Sequence, residues 1–290
     1  MGADFYENSE IARYIFDQAG EELDLDMKEL CFEENDRLDL TEYTQAAMVT
    51  TCLAMTRVAE SKGLKADITA GLSLGEYPAI AAAGGMNDMD AIRLVRKRGI
   101  LMQNTVPAGE GAMCAVISMA VEEIEKVIEP IADVSVANYN CPGQIVITGK
   151  TDAVEEAAAK LKEAGARRTI MLNVSGPFHS QMLVPAGEKL AEELEHTRFH
   201  ELRIPYVTNV TAEKVTDIRE TPGLLTTQIS SPVRWMQSME RMIADGVDTF
   251  IEIGPGKTLS SFVRKIDRNV KVYNIEKPED LDRVMEELAC

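Results

Sequence analysis

The feature that most narrows the folds open to this chain is Gly71-Leu72-Ser73-Leu74-Gly75, set between a strand pattern at Asp67 to Gly71 and a helix pattern at Glu76 to Ala83. A G-x-S-x-G turn between strand and helix lifts a serine hydroxyl clear of the backbone at the end of a sheet. The amide of Leu74 and the start of the helix then face an oxyanion formed at that serine. A glycine-rich turn with no chemistry carries the same letters, so both readings stay open on this motif alone.

The surrounding pattern alternates strands and helices. Thr44 to Glu60 reads as a buried helix, Asn87 to Asn104 and Leu183 to Glu195 as further helices, and Pro205 to Asn209 as a strand. Pro232 to Ala244 reads as a helix closed by Gly246, and Thr249 to Ile253 as a strand before Gly254-Pro255-Gly256. Such alternation implies an α/β fold, a hydrolase-like parallel sheet covered on both faces. The middle differs. Strands at Ala112 to Ser118, Val134 to Asn138, Gln144 to Thr148 and Arg168 to Val174 enclose a helix ended by Pro130 and another stopped by Gly165. The second helix is expected to open on a capping box formed by Asp152 and Glu155. The order βαββαβ predicts an inserted ferredoxin-like subdomain at 109–176, within a discontinuous large domain of residues 1–108 and 177–290.

Composition excludes other classes. The 290 residues are 45% hydrophobic and 27% charged, enough apolar material for a core without metal or disulfide staples. The net charge of −18 argues against nucleic acid as a partner. Uncharged stretches such as Tyr43 to Thr56 include no run of the roughly 20 apolar residues a membrane span needs. No signal peptide is visible, so a cytoplasmic monomer is expected. Cys31, Cys52, Cys114, Cys141 and Cys290 show no C-x-x-C spacing and read as reduced thiols, with neither disulfide framework nor metal site. The sequons at Asn173 and Asn209 mean little without a secretory route. No cofactor motif survives either: Gly256-Lys257-Thr258 would need Gly in place of Ile251 to complete a phosphate loop.

A nucleophilic serine needs a base, and the chain has three histidines. His196 and His200 sit at a charged helix end. His179, in a loop of Gly, Pro and Ser directly after a strand, is the better candidate. On the helix from Asn87 to Asn104, Leu94, Val95, Leu101 and Met102 fall within about 60° of Arg98. An arginine in the middle of an apolar stripe must meet an anion. That anion is a core carboxylate or a substrate carboxylate held bidentately, and the pattern leaves both open.

These pieces together resemble the malonyl-CoA:acyl-carrier-protein transacylase family, over nearly the whole chain. The resemblance lies in Thr44-Gln45-Ala46-Ala47, Gly71 to Tyr77, Arg96-Lys97-Arg98-Gly99, Met102-Gln103 and Pro107 to Met113. It continues in Ala137 to Gln144, Ser175 to Ser180, Ser231 to Trp235 and Glu252 to Lys257. It implies a ping-pong reaction in which Ser73 takes the malonyl group from malonyl-CoA and passes it to the phosphopantetheine thiol of acyl carrier protein. Ser73 matches the nucleophile, His179 its base, Leu74 the oxyanion-hole amide, and Arg98 the clamp on the malonyl carboxylate. Gln228 matches the glutamine whose backbone carbonyl orients the histidine, and Phe178 resembles the malonyl-selecting form of that loop. Docking of an acidic carrier protein would need basic patches, for which Arg93, Arg96, Lys97, Arg167 and Arg168 are candidates.

Two features depart from the family pattern. Leu72 stands where the family usually has His, an expected modest effect on the elbow. The family's opening strand and its Gly-Gln-Gly-Ser-Gln loop have no counterpart. The expectation is a truncated or mis-started chain, or a segment supplied by something else, with a strand missing beside the nucleophile strand. Losing that loop's oxyanion donor would cost roughly 10²–10³ in rate. Two alternatives follow: a serine thioesterase or esterase of α/β-hydrolase type, and an inactive homologue acting as an interaction protein. The first is disfavoured because no histidine follows His200, whereas that class places its His late in the chain.

Overall fold

The computed structural model describes residues 1–174 and 176–289. Ser175, and with it one position of the Ser175 to Ser180 segment and of the Asn173 sequon, lies outside the described residues, as does Cys290. The chain opens with three helices absent from the sequence reading, α1 (Ala3–Asn8), α2 (Glu10–Leu23) and α3 (Met27–Phe32). Their signal was present: Ala12, Ile15, Phe16 and Ala19 have i, i+3, i+4, i+7 spacing and are all buried. Then come α4 (Thr41–Ser61), β1 (Thr69–Ala70), α5 (Glu76–Ala82) and α6 (Asp88–Thr105). Helix α6 packs along α4, and Gly99 makes the close approach possible. A Cβ there would lie 2.8 Å from Glu42 Cα and 2.9 Å from the Thr41 carbonyl oxygen.

The middle of the chain forms β2 (Gly111–Ile117), α7 (Val121–Ile128), β3 (Val134–Cys141), β4 (Gln144–Lys150), α8 (Thr151–Glu163) and β5 (Arg168–Met171). Its strands make an antiparallel sheet in the order β3-β4-β2-β5, the βαββαβ arrangement read from the sequence. Val116, Ile124, Ile145, Ile147, Val154 and Leu161 form a separate apolar core beneath it. The expected capping box is not formed. The helix starts two residues earlier than that box requires, at Thr151, so Asp152 lies inside the first turn, its carboxylate accepting from the Ala153 amide. Thr151 is held instead by its hydroxyl, which donates to the Gly109 carbonyl at 2.7 Å.

The chain returns through α9 (Val184–Glu195), β6 (Tyr206–Val207), β7 (Lys214–Val215), α10 (Thr221–Gln228) and α11 (Trp235–Ala244). It ends with β8 (Thr249–Ile253), α12 (Thr258–Ile266), β9 (Lys271–Ile275) and α13 (Pro278–Leu288). Helix α11 begins three residues later than Pro232. Val233 is extended there, exchanging backbone hydrogen bonds with Ala137 and Tyr139 of β3. Besides a parallel bridge between Asn138 and Val233, the described strands pair in parallel as β1 with β6 and β8 with β9, which lie in separate sheets rather than in one. A cleft of about 1290 Å³, lined by Ile68 to Leu72 on one side and Thr249 to Gly254 on the other, separates them.

Candidate active site

The elbow begins at Gly71, where a side chain has no room: a Cβ would stand 1.9 Å from the Gly75 carbonyl oxygen. Leu72 is extended, and Ser73 takes a left-handed φ of 50° before the 3₁₀ turn Ser73–Gly75 runs into α5. A non-glycine residue in that region carries strain that its surroundings must hold. The turn lifts the Ser73 hydroxyl toward His179, and it leaves the Leu74 amide in the first turn, where amides have no intrahelical acceptor.

His179 is also left-handed, at φ 60°, and buried. Its loop is fixed by Ser180, whose hydroxyl donates to the Pro177 carbonyl at 2.7 Å. His179 Nε2 lies 2.7 Å from Ser73 Oγ. On the other side of the ring, Nδ1 is 2.9 Å from the Gln228 carbonyl oxygen and 3.0 Å from that of Ser231. Both partners are acceptors, so Nδ1 carries the proton and Nε2 presents a lone pair to the serine hydroxyl. Burial, and then the positive charge of Arg98, lower the imidazole pKa to about 4. The ring is therefore a neutral acceptor at physiological pH.

Arg98 is 1% exposed, as its place in the apolar stripe of α6 implied. No carboxylate lies within ion-pair distance of it among the described residues. Its guanidinium donates from Nη1 to Gln45 Oε1 at 2.9 Å, and from Nη2 to Ser73 Oγ at 3.1 Å and Gln228 Oε1 at 3.2 Å. The ring of Tyr77 lies beneath it, 5.5 Å from the guanidinium carbon. Of the two readings open in the sequence, a direct core salt bridge is the one the geometry does not supply. Burial lowers the Arg98 pKa, while Tyr77 and Glu76 act to raise it.

Ser73, His179, Arg98 and Gln228 are thus brought together, with Leu74 next to the hydroxyl. Sequence reading missed two contributors, Glu76 and Asn209, and the side-chain role of Gln228. Gln228 acts with its side chain as well as its carbonyl, Nε2 donating to the Ser73 carbonyl at 2.9 Å and to Glu76 Oε2 at 2.7 Å. Glu76 is buried, and desolvation raises its pKa to about 7 against the hydrogen bonds it accepts. Asn209, noticed only as a sequon, bonds to the elbow itself. Nothing in spacing marks a buried amide or carboxylate of this kind. Its one signal is polarity next to the motif.

Among the described residues, no cluster of His, Cys, Asp and Glu could hold a metal ion, and no helix is long and apolar enough to cross a membrane. Cys31, Cys114 and Cys141 are buried and unpaired, and burial pushes Cys31 up to about 11 and Cys52 up to about 12. Burial therefore favours the protonated form of these thiols.

The acyl transferase domain model matches residues 1–277. The malonyl CoA-acyl carrier protein transacylase of Bacillus subtilis (strain 168) is 43% identical over 293 aligned residues, covering 99% of this chain and 92% of that protein. The crystal structure of malonyl CoA-acyl carrier protein transacylase from Clostridium perfringens superposes with a TM-score of 0.96 at 44% identity, covering 100% of this chain and 92% of the other. A type II PKS acyl-carrier protein in complex with its malonyl-transacylase matches with a TM-score of 0.95 at 35% identity, over 99% of this chain and 94% of that one. Sequence and fold agree along almost the whole length: the chain belongs to the malonyl CoA-acyl carrier protein transacylase family of acyl transferases.

Proposed function

We propose that this protein transfers a malonyl group from malonyl-CoA to the phosphopantetheine thiol of an acyl carrier protein, through an acyl-enzyme on Ser73. The observation that carries this reading is the position of Ser73 Oγ. It lies 2.7 Å from a neutral imidazole nitrogen and 3.1 Å from a buried guanidinium that has no carboxylate partner. A base beside the hydroxyl serves any acyl transfer. The unpaired cation selects an acyl group that brings its own carboxylate.

In the first half-reaction Ser73 Oγ attacks the thioester carbonyl as His179 Nε2 takes its proton. The oxyanion of the tetrahedral intermediate faces the Leu74 amide. Collapse breaks the C–S bond, and the imidazolium returns the proton to the departing CoA thiolate. The second half-reaction runs the same steps in reverse, with the carrier-protein thiol as nucleophile. The Gln228 and Ser231 carbonyls hold the His179 tautomer in both, the role an Asp plays in other triads. Arg98 holds the malonyl carboxylate, turning from Ser73 and Gln228 to the ligand. Phe178, beside the base, suits an unbranched malonyl group. Residues 109–176 form the ferredoxin-like subdomain in this reading, which joins the large domain two residues before His179. The unpaired thiols of Cys31, Cys52, Cys114 and Cys141 suit a reducing, cytoplasmic setting.

Intact mass after incubation with malonyl-CoA tests the reading directly. The parent is expected to gain one malonyl increment, lost again on addition of carrier protein bearing phosphopantetheine, and Ser73→Ala to gain none. A folded parent that stays unmodified overturns it.

A further inference from the structure

The strained Ser73 backbone needs something to hold it, and one side chain does so from both ends. Asn209 Oδ1 accepts from the Ser73 amide at 2.5 Å, and Asn209 Nδ2 donates to the Gly71 carbonyl at 2.7 Å. A single carboxamide thus spans the elbow from its first residue to the nucleophile. Asn209 is 1% exposed and follows β6, the strand that pairs with β1, so it approaches the turn from the neighbouring strand. Its own backbone is tied down. The Asn209 amide donates to Glu76 Oε2 at 3.2 Å, and its carbonyl accepts from the Arg234 amide at 3.0 Å. Glu76 Oε2 also accepts from Gln228, the residue whose carbonyl orients His179. Nucleophile and base are therefore referenced to the same carboxylate.

The chemistry of the bridge admits few side chains. It needs one acceptor for an N–H and one donor for a C=O, about an amide's width apart. Aspartate has no donor, and serine is too short to reach both groups. With Nδ2 committed to Gly71 in the interior, Asn209 is no acceptor for carbohydrate in the folded chain.

We propose that Asn209 is a positioning residue for the nucleophile, with Glu76 as its anchor. It touches no reacting atom. It sets the direction in which Ser73 Oγ leaves the turn, and so the contact of that oxygen with His179. The proposal rests on the reading of Ser73 as nucleophile, and its first test does not depend on the acyl donor.

That test uses diisopropyl fluorophosphate. Ser73 Oγ displaces fluoride from phosphorus, His179 takes the hydroxyl proton, and the Oγ–P bond adds one label per chain. Asn209→Ala and Asn209→Asp are expected to label on the order of 10²-fold more slowly than the parent, as a small misplacement of a reacting atom does. They should still reach one label per chain. Malonyl-CoA turnover should lose kcat by the same factor, with KM held near the parent value because Arg98 is untouched. Labelling at the parental rate in folded variants overturns the proposal. So does a reduced plateau at unchanged rate, which marks a loss of folded protein. Should Asn209→Ala fail to fold, Asn209→Asp keeps the volume and the acceptor for the Ser73 amide, and the same outcomes are read from it. A parent that labels but takes no malonyl group overturns the transfer reading while the labelling ratio still decides the role of Asn209.

Discussion

A cation buried among neutral partners is a large local cost unless a ligand completes it, and Arg98 is held by Gln45, Gln228 and the nucleophile. Arg98→Ala is expected to lower kcat/KM for malonyl-CoA by roughly 10–100-fold, the worth of a charge-assisted pair of hydrogen bonds, mostly through KM. Turnover of acetyl-CoA should change far less, and Arg98→Lys should not restore malonyl preference, because an ammonium lacks the planar fork. Equal losses on both thioesters would remove Arg98 from substrate recognition. The same charge contributes to the pH profile. Burial first, then Arg98, lower His179 to about 4, so the free enzyme keeps a neutral base well below neutrality. The acid limb of kcat/KM should therefore fall near pH 4. A bound malonyl carboxylate offsets Arg98, relieves its effect on the imidazole, and moves the acid limb of kcat to higher pH. A kcat limb at or below that of kcat/KM would contradict the assignment. The residues in these two predictions were candidates in the sequence, His179 through its small-residue loop after a strand and Arg98 through its place on a helical stripe. Asn209 and Glu76 were not, because a side chain that works by bonding to a distant backbone leaves no periodicity.

Some elements with local periodicity were read almost to the residue, although α2 carries the same kind of pattern and was not read, and the bounds of elements set by tertiary contacts were missed. Strand β8 and helix α7 carry their patterns locally. By contrast β1 and β6 have two residues each and are defined by pairing, β1 with β6 and β6 also with β7. The start of α11 is displaced because Val233 is claimed by β3. The contact of α4 with α6 shows how an element-level feature reaches the site. Gly99 is adjacent to Arg98, and its missing side chain lets α6 lie against the backbone at Thr41 and Glu42. Gly99→Ala forces that contact apart, since backbone atoms cannot yield as a flexible side chain would. The expected result is a KM for malonyl-CoA raised several-fold and a destabilisation of about 1–3 kcal/mol. The labelling rate of Ser73 by diisopropyl fluorophosphate should stay near that of the parent. Denaturant titration and the KM-against-kcat split check it together. Slower labelling at constant KM would place the damage in the elbow instead.

Across the whole molecule, the proposed function requires a chain with a net charge of −18 to bring a carrier protein, expected to be acidic, to its site against a repulsive field. The sequence offered five basic candidates, and their surroundings divide them. Arg93 is paired with Glu22 and Asp90, Arg96 with Glu42, and Lys97 with Glu193. Arg167 and Arg168 are exposed and have no ion-pair partner among the described residues. They lie at the start of β5, an edge strand that also exposes Ile170 and Met171, and the chain runs on from its end to the His179 loop. Unpaired cations beside exposed apolar side chains suit an acidic partner whose prosthetic arm must then reach Ser73. Ping-pong order separates this docking from the first half-reaction. Arg167→Glu with Arg168→Glu should raise the KM for carrier protein about tenfold or more at low salt, with the gap narrowing as salt screens the charges. Acylation of Ser73 by malonyl-CoA, followed by intact mass, should keep its parental rate. The same double change made at Arg93 and Lys97 should have the smaller effect on carrier protein, because each of those charges is already answered by a carboxylate. If the α6 pair matters more, carrier protein docks on the large domain rather than along β5.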